Sequence, residues 1–370
     1  MISYVLPTRD RPERLRATLH AIDALGPHAA EVTIVDNASA ERLILPPALA
    51  SGVPIRQIYL GHNAGAAARN VGVEASRSPW IVMLDDDSHP LDLAFINSLA
   101  HAPADVGAIS ADIFLPTKPG QRPRRESGGL PEVFIGCGVA IRRELFLSLG
   151  GYDHTFNYYV EEYDLAARML LAGFRVAFDP AFRVMHAKVT ANRSMDAILA
   201  RLVRNNGWVA QRYAPDHARL PELREIRRRY RRIAAKEGAL AGFGVGLTDL
   251  RRTIRGQRRS AMPGPLWDRF TGLAPARDAL GAWFAARPFR SAAIVDEGKN
   301  AWAVAQALLE LGVRLCGEGE DAEVCVIGTM SPGPMLDSFE RRRRLAHVAA
   351  PPVLMPWLGS TPLRRAVIAA

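Results

Sequence analysis

The chain has 370 residues, of which 48% are apolar and 23% charged, and carries a formal charge of +9 from 47 basic and 38 acidic residues. That length suggests about two domains with ample chain for a core, and the composition excludes a disordered or fibrous protein. The basic balance fits phosphate-bearing partners or an anionic membrane, and equally a solvated basic surface.

The first segment, Ile2 to Leu6, is a short apolar run stopped by Pro7 and predicts a buried parallel strand. A helix should follow, with Asp10 as N-cap, Pro12 in the first turn and Leu15, Leu19 and Ile22 on one face. Further strands are expected at Glu31 to Val35, Ile55 to Leu60 and Trp80 to Leu84, with a helix at Ala66 to Ser76 between the last two. Strands alternating with helices imply a mostly parallel sheet covered on both faces, which places ligands at the carboxyl ends of its strands. The polar clusters Asp36 to Ser39, Gly61 to Gly65 and Asp85 to Asp87 all fall at such ends.

From Phe134 to His186 apolar strands surround a helix at Glu161 to Ala172. Arg219 to Arg259 then holds thirteen basic residues against four acidic ones at helix-compatible spacing, ended by Pro263 and Pro265. Beyond Pro288 a small α/β unit is expected, with strands at Ala292 to Val295, Glu323 to Ile327 and Val353 to Met355 and a helix at Asn300 to Leu311. Its Asp296 to Asn300 loop lacks the glycine fingerprint that cradles pyrophosphate. Cys137, Cys316 and Cys325 have neither zinc spacing nor an even count for a disulfide framework, so core thiols in a reducing compartment are expected. Arg9 arrives too early for a secretory signal, and no apolar run approaches the roughly 20 residues that span a bilayer. A cytoplasmic protein is the expectation.

The strongest local signal is the triplet Asp85, Asp86 and Asp87 after an apolar strand. Adjacent carboxylates repel unless a cation or solvent compensates, and an oxygen cluster suits magnesium or manganese. A solvated acidic turn is the alternative. Taken in order, Ile2 to Arg11, Val32 to Ser39, Gly61 to Ser76, Trp80 to Pro90 and Gly150 to Gly173 resemble family 2 glycosyltransferases, specifically a rhamnosyltransferase-like bacterial member.

The resemblance implies a GT-A nucleotide-diphospho-sugar transferase fold over residues 1–215; the chain's own pattern adds basic helices at 216–287 and a small Rossmann-like α/β unit at 288–370, read as an accessory or dimerisation domain. It implies an inverting, metal-dependent hexosyl or deoxyhexosyl transfer in glycan synthesis. Asp85 and Asp87 would hold Mn2+ or Mg2+ against the donor diphosphate, Asp87 directly, with the ribose left to Asp86 or Asp85. His186 matches a histidine that completes the metal site, although a lone histidine is more often structural. Pro7, Thr8 and Arg9 would line the nucleotide site, with Asn37 at its border. Asp36 would accept from a uracil or thymine ring NH, which favours UDP- or dTDP-linked donors. Asn63, Gly65, Arg69 and Asn70 match a segment that permits close backbone approach and counters diphosphate charge.

In the acidic block Glu162 matches the catalytic base, with Asp164 and Glu161 in reserve; a negative first helical turn accounts for at least one of the three. Gly138, Gly151, Tyr152 and Asp153 would lie near the acceptor and donor sugar. The acceptor would be a glycan, a lipid-linked molecule or a small molecule, and self-association is compatible. Nucleic acid is not expected, since the basic stretch lacks aromatic interleaving. Two other readings are a catalytically silent nucleotide-sugar-binding module and a sugar nucleotidyltransferase. The second is disfavoured because Pro7 to Pro12 contains no glycine.

Overall fold

A computed structural model describes residues 1–118, 120–122, 124–188, 194–317, 320–345 and 351–357. The chain divides into two units, the first formed by Met1–Asp87, Ile141–Phe174 and Lys188–Trp267, the second by Ser88–Ala140, Arg175–Ala187 and Asp268–Ala370. The expected class, α/β with a mostly parallel sheet, is the one adopted.

In the first unit β1 (Ile2–Thr8), β2 (Ala30–Asp36), β3 (Ile55–Tyr59) and β4 (Trp80–Met83) form a parallel array in the order β3-β2-β1-β4. All seven residues of β1 are buried, as a central strand covered on both faces requires. Helices α1 (Pro12–Asp23) and α2 (Ala68–Ala75) cover it, α1 burying Leu15, Leu19 and Ile22 as their spacing predicts. Asp10 is not the N-cap of α1. That position belongs to Arg11, without a side-chain cap, while Asp10 at φ 52° accepts from the Ala40 amide at 2.7 Å. A tertiary partner has outcompeted the local capping signal.

The same unit contains α5 (Glu161–Leu171) and the helices α6 (Met195–Tyr213), α7 (Asp216–Lys236) and α8 (Leu240–Thr253). Ser194 caps α6 by accepting from the Ala197 amide. Helix α8 approaches α6 through glycines: a Cβ at Gly242 would stand 2.1 Å from the Asp196 carbonyl oxygen, and one at Gly207 2.4 Å from Leu250. Leu199, Val203, Ile226, Tyr230 and Phe243 fill the space among the three helices. The basic helical stretch stops at Gly256, before Pro263 and Pro265, and a separate helix α9 (Gly264–Thr271) starts among these prolines, where a fixed proline φ suits a first turn.

In the second unit β6 (Val106–Leu115) runs parallel to β9 (Arg175–His186), with β5 (Ser88–Pro90) antiparallel to β9 and β7 (Arg124–Arg125) antiparallel to β6. Helix α3 (Phe95–Ala100) packs on β9 by stacking Phe95 on Phe182 at 4.6 Å. The chain leaves this region through β8 (Val139–Arg142) and α4 (Arg143–Ser148). Further on, α10 (Leu273–Ala286), β10 (Ser291–Val295), α11 (Ala301–Glu310), β11 (Arg314–Cys316), β12 (Val324–Ile327), α12 (Pro332–Leu345) and β13 (Val353–Leu354) build a parallel sheet ordered β11-β10-β12-β13. Of the three expected core thiols only Cys137 is buried; Cys316 and Cys325 are partly exposed. Among the described residues no helix is long and apolar enough to cross a membrane.

Candidate active site

The carboxyl ends of β1, β2 and β4 in the first unit bring Thr8, Asp36 and the aspartate triplet to one edge of the parallel sheet. Asp86 and Asp87 are buried and share one cation: Arg11 donates to Asp86 Oδ1 at 2.5 Å and to Asp87 Oδ2 at 2.6 Å. Thr8 Oγ1 donates to Asp86 Oδ2 at 2.9 Å, and Thr18 donates to the Asp86 carbonyl at 2.8 Å. Burial pushes the Asp86 carboxyl up to about 7, although Arg11 and Thr8 pull it down. Asp85 is more open and pairs with the buried Arg69.

Asn37 and Asn63 shape the neighbouring loop. Asn37 donates to the Gly65 carbonyl at 3.0 Å and accepts from the Ala64 amide at 2.7 Å, while Asn63 accepts from the Gly65 amide. Gly65 has φ 64°, and a Cβ there would stand 2.3 Å from the Asn157 carbonyl oxygen, so only glycine fits. Asp36 Oδ1 accepts from the Ser39 amide, Pro7 is a buried strand residue, and Arg9 is exposed beside Asp10. Asn70 fastens the Tyr152 backbone by donating to its carbonyl and accepting from its amide, each at 2.9 Å. The Tyr152 ring is core, with its hydroxyl on Met83 Sδ at 3.3 Å, and a Cβ at Gly151 would meet Asn70 Oδ1 at 2.7 Å. Asp153 caps Thr155 and accepts from Arg212 at 2.8 Å.

The three acids of α5 have separate environments. Asp164 is fully buried and accepts from Arg212 at 2.8 Å, Tyr213 at 2.6 Å and Arg168 at 2.9 Å. Glu161 is buried with Oε2 unpartnered, and burial together with the nearby Glu162 holds its carboxyl well above the usual range. Glu162 is half-buried. Arg69, Asp85, Tyr152, Tyr158 and Glu161 lie within electrostatic reach of one another, and Arg69 Nε is also buried without a partner.

The approach to α5 is strained. Asn157, Tyr159 and Val160 have φ of 65°, 71° and 75°, a region that costs a non-glycine residue about 1–3 kcal/mol each and is least tolerated by a β-branched one. Asn205 on α6, completely buried, donates to the carbonyls of Phe156, Tyr158 and Tyr159 at 3.1, 3.1 and 2.7 Å. Trp208 packs edge-on against Phe156 at 5.5 Å between ring centres. Sequence reasoning missed Arg11, Tyr158, Asn205 and Arg212. Only Arg11, in a loop that follows a strand, left a local trace.

In the second unit Gly138 sits against Ala111 and Ile113, where a Cβ would meet Ile113 at 2.8 Å. His186 at the end of β9 is buried, with Nδ1 3.0 Å from Glu126 Oε2 and 3.6 Å from Cys137 Sγ. In the neutral ring, donation from Nδ1 to Glu126 makes Nε2 the acceptor nitrogen.

Residues 3–156 match the family model described as Glycosyl transferase family 2. An uncharacterized glycosyltransferase of Haemophilus influenzae is 27% identical over 199 residues, which cover 46% of this chain and 62% of the relative. The pre-mycofactocin glycosyltransferase of Mycobacterium tuberculosis is 24% identical over 204 residues, covering 50% of this chain and 42% of the relative. The match thus spans about half the length of these curated relatives. Among solved structures, a mannosyltransferase from Pyrobaculum calidifontis in complex with GDP-Man and Mn2+ aligns with a TM-score of 0.44 and 16% identity, over 84% of this chain and 86% of that one. Residues 3–156 are thus similar to family 2 glycosyltransferases, and the strands of this segment in the first unit form a parallel α/β sheet.

Proposed function

We propose that the protein transfers a sugar from a nucleotide diphosphate sugar to an acceptor hydroxyl by single displacement with inversion. The observation that carries this reading is the pair of buried, unmet polar atoms, Arg69 Nε and Glu161 Oε2, beside the carboxylates at the strand ends. Buried polar groups without protein partners are uncommon, and a polar ligand or an ordered water satisfies them. The donor would lie along β1, β2 and β4, with Asp36 accepting from the base and Arg69 facing the diphosphate. Asp85 and Asp87 would supply hard oxygen ligands of the kind that suit Mn2+ or Mg2+. When bound, the cation would neutralise charge developing on the departing nucleotide diphosphate.

Glu162 is the proposed base: it is half-buried on α5, whereas Asp164 is saturated by three donors and Glu161 is buried. Its carboxylate takes the acceptor hydroxyl proton, the oxygen attacks the anomeric carbon, and the bond to the diphosphate oxygen breaks with inversion. Asp164, Arg212 and Asn205 position α5 and the strained loop. The test is calorimetry of UDP-, dTDP- and GDP-sugars with and without Mn2+, followed by NMR of the product anomer. Metal-strengthened binding that Asp87→Ala abolishes, with an inverted product, is expected. A retained configuration overturns the displacement scheme, and metal-independent binding overturns the ligand assignment.

A further inference from the structure

Helix α7 carries eight basic residues and three acidic ones. One face is used internally: Ile226, Tyr230 and Ala234 are buried among α6 and α8. The other presents Arg224, Arg227, Arg228, Arg231 and Arg232, which with Ala235 line a groove of about 520 Å³. The acids do not neutralise it. Asp216 pairs with Arg259, Glu225 with Arg228, and Glu222 faces Arg229, so among the described residues Arg224, Arg227, Arg231 and Arg232 have no carboxylate partner. In the first two turns of α8 the exposed positions Leu240, Ala241, Gly244, Val245 and Thr248 carry no charge, Leu240 and Val245 each being 54% exposed, while Arg251 and Arg252 in its last turn add exposed positive charge.

We propose that the α7–α8 pair docks on an anionic lipid surface. Arginine stems lie along apolar material while their heads reach phosphates, and exposed leucine and valine enter the acyl boundary. A stripe for nucleic acid would interleave aromatic residues to stack on bases, whereas Tyr230, the one aromatic residue of α7, is buried and covered by Arg229. The inference does not rest on the transfer reaction.

The experiment is co-sedimentation of the full chain with vesicles of phosphatidylcholine alone and with phosphatidylglycerol added, at low and high salt. Binding is expected only to the anionic vesicles, weakening as salt screens the charges. Each basic residue near such a surface is worth about fivefold in partitioning, so Arg227→Gln with Arg231→Gln should lower binding roughly 25-fold. Leu240→Ser with Val245→Ser should weaken the salt-resistant part. Equal binding to neutral vesicles, absence of binding at low salt, or a folded double arginine variant that binds like the parent overturns the proposal. Release by inorganic phosphate beyond that by chloride at equal ionic strength would assign the groove to free phosphate. Tighter binding to duplex DNA than to anionic vesicles would assign it to nucleic acid. The lipid and salt arms on the parent chain decide the matter even if a variant fails to fold.

Discussion

The sheets β3-β2-β1-β4 and β11-β10-β12-β13 are both parallel and both place carboxylates after a strand, yet the groups that meet those carboxylates differ. After β10, Asp296 accepts from Ser338, Arg341 and Arg342, all contributed by α12, and the Arg342 hydrogen bond leads in drawing its carboxyl down to about 2. After β4, burial drives Asp86 the other way, to about 7, and Arg11 is shared between two aspartates. Arg69 and Glu161 near that edge keep unpartnered buried atoms; among the described residues, the strand ends of the second sheet have none. An ion-pair cluster completed at the surface is scaffold. A buried, incomplete one is a place for a ligand.

Predictions that sharpen this contrast begin with Glu162→Gln. Turnover should fall on the order of 100- to 10,000-fold with donor affinity retained, read by steady-state kinetics and calorimetry. Asp164→Asn serves as comparator and should lower stability rather than abolish chemistry alone; normal turnover of Glu162→Gln would transfer the base role elsewhere in α5. Next, Asn205→Ala removes a donor serving three carbonyls and should cost about 2–4 kcal/mol in denaturant unfolding, with a fall in kcat. A stability loss without a kinetic one would separate the loop from catalysis. Third, Arg11→Gln leaves Asp86 and Asp87 buried without their cation. The loss should be about 1–3 kcal/mol, less than for a fully buried pair because Arg11 is 34% exposed.

The smallest effect belongs to the second sheet. Asp296 has its folded value at about 2 against an ordinary 3.8, so its contribution is complete above about pH 4 and fades as pH falls through 2. It is largely exposed, and Asp296→Asn should cost less than about 1 kcal/mol above pH 4, vanishing toward pH 2. Thermal unfolding across that range reads it. A loss matching that of Arg11→Gln would erase the distinction between the two strand ends.

The strands of the first sheet were legible because each is a continuous apolar run that stops at polar residues, as Trp80 to Leu84 does before Asp85. Strand β6 was not, since Gly107, Ser110 and Asp112 interrupt its apolar run and its identity depends on pairing with β9. The acidic triplet and the α5 acids could be found as site candidates, but their separate environments could not. Asp164 is saturated by Arg212 and Tyr213, 48 and 49 residues away, and no local spacing reports such partners. Asp10 shows the same limit in reverse, because a sound capping pattern yields to the Ala40 amide.

The family match ends at residue 156, and the left-handed backbone begins at the next residue. The side chain that holds the run comes from residue 205, on a helix outside the match. A chain cut before α6 would keep every aspartate of the sheet edge and lose the clamp that fixes the entry to α5. The matched segment is therefore not an interchangeable module by itself. Exchange of C-terminal parts between relatives should succeed only when the 156–160 loop and α6 travel together, so the two are expected to be inherited as a single block.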